Sequence, residues 1–160
     1  MTELHGDIEL SLEQAATIAK AMLEVAESDG VHQREQEMID GFWKECAAAS
    51  NQENADLGTD RYDAETARTI LGSQEHAAAL IKSCYLLALA DGDISAAEEA
   101  KIAEISGGLN LDEASTEACA KEAKLYLLNK FKGVSVFKEV AWDIGRKLGL
   151  DEATLGETLS

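Results

Sequence analysis

The chain has 160 residues, 46% of them hydrophobic and 28% charged, which suits one domain around one substantial core and leaves two separate domains poorly buried. Its 31 acidic and 14 basic residues give a formal charge of -17, which repels phosphate backbones and anionic bilayers and so excludes nucleic acid as an expected partner. What such a charge attracts is metal ions, basic protein surfaces or plain counterions.

Proline is absent, and Ala, Leu, Glu and Lys dominate, so an all-α fold is predicted. The first ten residues carry Glu3, Asp7 and Glu9 without a basic cluster or an apolar run, so no secretory or mitochondrial leader is expected and a cytoplasmic location follows. Ser11 and Gln14 have capping-box spacing, and Ala15, Ile18, Met22 and Val25 then share one stripe up to Asp29-Gly30. A second helix is predicted over 33–49, with Met38, Ile39, Phe42, Cys46 and Ala49 on its apolar side, Trp43 beside them and its charges facing out. Residues 50–60 are polar and read as a connection between two halves. A shorter helix over 63–71 sets Ala64, Ala67, Ile70 and Leu71 at helical spacing before Gly72 stops it, and Ser73 caps the next.

That next helix places Ala77, Leu80, Ile81, Cys84, Leu87 and Ala88 on one face, ends at Asp91-Gly92 and is the expected central helix. Its most apolar run, 83–90, is far short of the roughly 20 residues a bilayer span requires, so no membrane insertion is expected. A helix over 96–106 should stop at Gly107-Gly108, and Asp112 should cap another that runs to about Lys130 through Ala118, Cys119, Leu125 and Leu128. Ser135 opens a further helix with Phe137, Val140, Ala141, Ile144 and Leu148 at core spacing, and Asp151 can cap a short tail. The result is a single-domain bundle of about eight helices over 1–160, with its core in 12–150 and two related halves. Cys46, Cys84 and Cys119 are far apart among apolar neighbours and read as small buried hydrophobes, not as a zinc or disulfide framework.

An apolar helix enters an acidic turn twice: "MLEVAESDGVHQREQEMI" begins at Met22 and "LLALADGDISAAEEAKI" at Leu86. In the second copy Gly92 permits the reversal, Ile94 plugs the core, Ser95 caps the next helix and Glu98 lies in its first turn. Glu98 there has two readings. It complements the helix dipole, or it joins Asp91, Asp29 and Glu35 in holding a hard divalent cation, calcium or magnesium first, whose charge would relieve the crowding of carboxylates. His32 adds a nitrogen donor that would tilt the preference toward zinc or manganese. An EF-hand is rejected: Asp91, Gly92, Ile94 and Glu98 match its fifth, sixth, eighth and twelfth positions, but Leu87 and Leu89 stand where its first and third ligands belong.

At "LALADGDISAAEE" the chain resembles the TerB-like tellurite-resistance family, whose signature is Asp-Gly-x-Ile/Val-x-x-x-Glu after an apolar helix. The resemblance spans roughly Leu12 to Leu150. It implies an all-helical cytoplasmic protein with a divalent-metal site built from acidic residues of the two loops, serving the stress response to tellurite as an adaptor or sensor beside a membrane-embedded protein partner. Asp91 and Glu98 match directly, whereas Glu35 follows its Asp-Gly one residue sooner than Glu98 does.

The leading expectation is therefore a non-enzymatic, metal-responsive adaptor. One alternative is a metal-independent acidic interaction module, with Trp43, Tyr62 and Trp142 as aromatic residues that more often serve packing than binding. The other, a metal-dependent hydrolase, has little support, because no nucleophile motif or phosphate-binding glycine loop is present and His5, His32 and His76 show no partner spacing.

Overall fold

The computed structural model describes residues 9–52, 54–89 and 94–132, with side chains described as far as residue 127. Six helices form among them: α1 (Leu12–Glu27), α2 (Gln33–Ala49), α3 (Ala64–Leu71), α4 (Gln74–Ala88), α5 (Ala96–Gly108) and α6 (Glu113–Lys132). No strand occurs among the described residues. The helices expected from Ser135 and Asp151, with Trp142, lie outside the described residues, and the relation between two halves is not settled by the six that are seen.

Each helix starts where a side chain can satisfy its first orphan N–H groups. Ser11 and Gln14 exchange cap hydrogen bonds at 3.1 and 2.9 Å. The Gln14 amide also donates to the Ile70 and Leu71 carbonyls, each at 3.3 Å, and so ties the start of α1 to the end of α3. Asp63 caps α3 through the Thr66 N–H at 2.9 Å, and Gly72, at φ 70°, closes that helix in the left-handed region. Ser73, Ser95 and Asp112 open α4, α5 and α6, as their sequence positions predict.

Two helices organise the core. The stripe of α1 is fully buried at Ile18, Met22 and Val25, and α1 packs against α2, α3, α4 and α5. On α4, Leu80, Ile81, Cys84 and Leu87 belong to the main core cluster while Ala79, Ser83 and Leu86 are also buried, so α4 is covered on more than one side, with α6 as its most extensive neighbour among the described helices. Buried Ser83 returns its hydroxyl to the Ala79 carbonyl at 2.9 Å, which keeps a polar group tolerable there.

Three expectations are corrected. First, α5 does not stop at Ser106: it continues through Gly108, and the reversal comes at Asn110 with φ 63°. The Leu111 N–H then returns to the Ser106 carbonyl at 3.1 Å, while Leu109 and Leu111 insert into the core. Gly108 serves close approach instead: a Cβ on it would lie 3.2 Å from the Ala64 Cβ, at the start of α3. Second, Ala49 is exposed and Ala47 is buried, so the apolar side of α2 ends at Cys46 and Ala47. Third, Ala118 is exposed, and the face of α6 directed at α4 runs through Cys119 and Ala123. No helix among the described residues is long and apolar enough to cross a membrane.

Candidate metal centre

The first acidic corner follows α1. Ser28 ends the helix by donating its hydroxyl to the Val25 carbonyl at 2.6 Å, and Gly30 turns the chain at φ 91°, a region that L side chains rarely adopt. His32 then stands at the N-cap of α2, and Glu35, three residues on, reaches back so that its Oε1 accepts the His32 N–H at 3.1 Å. At the second corner Ser95 is the N-cap of α5, and Glu98 Oε1 accepts the Ser95 N–H at 3.0 Å while the Glu98 N–H donates to Ser95 Oγ at 3.0 Å.

Helix register therefore pairs His32 with Ser95 and Glu35 with Glu98. The one-residue offset read in the sequence falls between the glycine and the N-cap, where the second corner has the extra Asp93. The apolar plug differs too: Ile94 packs partly buried against the core, while Val31 is 41% exposed.

Asp29, His32 and Glu35 each offer a ligand atom, and these atoms lie within 4.8 Å of one another. Asp29 and His32 are exposed, whereas Glu35 and Glu98 are each only 5% exposed. Burial pushes the Glu98 carboxyl above its ordinary value, and the negative charges of Asp29 and Glu35 push it the same way, against the lowering effect of its Ser95 hydrogen bonds. The start of α5 thus lies in the field of the α1–α2 corner. Asp91, the remaining predicted ligand, lies outside the described residues.

This donor set fits a divalent ion. It holds carboxylate oxygens and one imidazole, and each capping glutamate uses one oxygen on its own helix while a carboxylate has a second. Without a cation, clustered carboxylates must be solvated or take up protons. Leu87 and Leu89, in the rejected EF-hand positions, are 1% and 3% exposed and belong to the core.

Some neighbouring features had no local signal in the sequence. Arg61, in the connection before α3, forms ion pairs with Glu24 at 2.8 Å and Glu27 at 2.6 Å on the last turns of α1, just before the corner. Its partners lie more than thirty positions away, beyond the reach of any spacing rule. The Trp43 indole N–H donates to the Ala55 carbonyl at 3.1 Å and pins the same connection, so Trp43 has a structural duty. Tyr62 packs against the core with its hydroxyl buried and without a partner among the described residues.

Among the described residues the chain is thus all-helical, with Asp29, His32 and Glu35 grouped at one helix-opening corner and Glu98 at a second that feels their charge. Residues 43–121 match the model of the family described as tellurite resistance protein TerB. The match covers just under half of the chain, less than the span from Leu12 to Leu150 that the resemblance suggested. It takes in Glu98 and stops short of Asp29, His32 and Glu35. No curated protein and no solved structure matches the chain.

Proposed function

We propose that the chain is a non-enzymatic adaptor or sensor of tellurite resistance and related stress, switched by a divalent cation held at the α1–α2 corner. The observation that supports this reading is the grouping of Asp29, His32 and Glu35 within 4.8 Å, next to a buried Glu98 that responds to their charges. A bound ion would neutralise that crowding and join the α1–α2 corner to the start of α5. Oxygen-only coordination, with Asp91 completing the set, suits calcium or magnesium, and the imidazole of His32 shifts the preference toward manganese or zinc. The surface presented to a protein partner, basic or membrane-embedded, would change with occupancy.

Isothermal titration of chelator-treated protein with calcium, magnesium, manganese and zinc tests this. One ion is expected per chain for at least one of them, with binding lost in Asp29→Ala combined with Asp91→Ala. Absence of heat with all four ions refutes the reading. The strongly acidic composition favours a second reading, in which a basic partner binds without metal; that binding would weaken with salt and ignore chelator.

A further inference from the structure

On the side of the molecule where α3 turns into α4, a cleft of about 260 Å³ is lined by Arg68, Leu71, Ser73, Ala77, Leu109 and Asn110, among others. Leu71, Ala77 and Leu109 reach it from the buried core, and its exposed lining is of mixed polarity. Its rim carries one cation: the Arg68 guanidinium, held by donating Nη1–H to the Gly108 carbonyl at 2.5 Å. Ser73 also lines the cleft, and its Oγ lies 2.6 Å from Nδ1 of His76, a residue outside the lining whose Nε2 lies 3.0 Å from the Glu9 carbonyl oxygen.

A carbonyl oxygen can only accept, so Nε2 carries the proton in that contact. In the neutral ring Nδ1 then holds the lone pair, and the Ser73 hydroxyl donates to it. A nucleophile, a base and a group that fixes the base's tautomer are therefore in line at the edge of a cleft of mixed polarity that Arg68 also lines. The Ser73 cap on α4 accounts for the His76 N–H donating to Oγ at 3.2 Å, but it does not require the imidazole contact or its anchorage on Glu9.

We propose that Ser73 is a reactive serine that accepts an acyl group from small activated carboxylic esters bound in this cleft. The acyl chain rests on Leu71, Ala77 and Leu109. Ser73 Oγ attacks the acyl carbon, and its proton passes to His76 Nδ1. Arg68 faces the oxyanion that develops. The bond from the acyl carbon to the leaving oxygen then breaks, and the departing alkoxide or phenoxide takes the proton from His76. The products are an ester on Ser73 and a free alcohol or phenol, with no change of oxidation state.

The probe is p-nitrophenyl acetate. Native protein should release a stoichiometric burst of p-nitrophenolate and carry an acetyl group on Ser73 by peptide mass spectrometry, and Ser73→Ala should abolish both. His76→Gln keeps Ser73 and the backbone N–H that its Oγ caps, and should slow acetylation about 100-fold. Arg68→Gln, which leaves the Ser73–His76 contact intact, should slow it as well, so the proposal remains testable if His76→Gln does not fold. Acetylation confined to lysines, equal labelling of Ser73 in urea-unfolded protein, or unchanged rates in both variants that fold would overturn it.

Discussion

Glu35 and Glu98 each do two things at once: one oxygen accepts the N–H of the N-cap residue, and the charge sits in a nearly dry position beside other carboxylates. The two duties separate by substitution, because Gln can accept the same cap hydrogen bond without the charge. The sign for Glu98 follows from its raised carboxyl. The native state holds that proton where the unfolded chain has already lost it, so stability falls as pH rises from the ordinary glutamate value through the raised one. Glu98→Gln removes that loss. Its metal-free melting temperature at neutral pH is expected to equal or exceed that of the wild type, and its stabilisation by added metal to shrink; a clear fall in the metal-free value would show that the charge itself holds the corner. Tyr62 poses a smaller question of the same kind. Burial raises its phenol well above the ordinary value, with Cys84 adding to the effect, and its hydroxyl has no partner among the described residues. Tyr62→Phe should therefore be neutral or stabilising in a thermal melt, because it removes an unsatisfied buried polar group.

At the scale of helices, what was legible in the sequence was what depends on near neighbours. Ser11 with Gln14, Gly72, Ser73, Ser95 and Asp112 all act where their spacing placed them, because a cap needs only three or four residues of chain. Gly107-Gly108 misled because a glycine pair marks either a stop or a close approach, and only the position of α3 distinguishes them. The register of Glu35 misled similarly: counting from Asp-Gly put it one residue early, while counting from the N-cap puts it level with Glu98. Arg61 could not be read at all, since its partners depend on how the connection folds back over α1.

Two glycines give opposed expectations. Gly41 is exposed inside α2 with open space where a Cβ would go, so Gly41→Ala should stabilise by about 0.5–1 kcal/mol and raise the melting temperature by roughly 1–4 °C. Gly30 also has open space, but its φ of 91° makes Gly30→Ala strained, with a cost of about 1–2 kcal/mol and a melt shifted downward. The helix caps also predict acid behaviour. Hydrogen bonds from Thr66 hold the Asp63 carboxyl below its ordinary value, and those from Ser115 do the same for Asp112. Such groups contribute stability above the unfolded value of about 3.8 and lose it as pH falls through the lower folded one. Asp63→Asn should flatten the stability profile below that value and leave its shape near neutrality unchanged; an unaltered acid limb would remove Asp63 from the account.

For the whole molecule, the all-helical class and the identity of the central helix followed from composition and periodicity, because α4 carries apolar residues on more than one face and can only be interior. A meeting of the two corners is an expectation of the doubled acidic turn, and the response of the Glu98 carboxyl to the charges of Asp29 and Glu35 is what bears on it. It depends on α1 packing against both α2 and α5, a long-range arrangement that no local pattern encodes. With a formal charge of -17 over the chain, any further crowding of carboxylates adds to an existing repulsion, so a cation there would be felt as stability.

The most direct test of that meeting is a double-mutant cycle in chelator-treated protein, comparing the unfolding free energies of wild type, Glu35→Gln, Glu98→Gln and the double variant. If the two glutamates face a common space, removing either charge relieves the same repulsion, and the double variant should fall short of the summed single effects by about 0.5 kcal/mol or more. Strict additivity would place the corners apart and contradict a shared site.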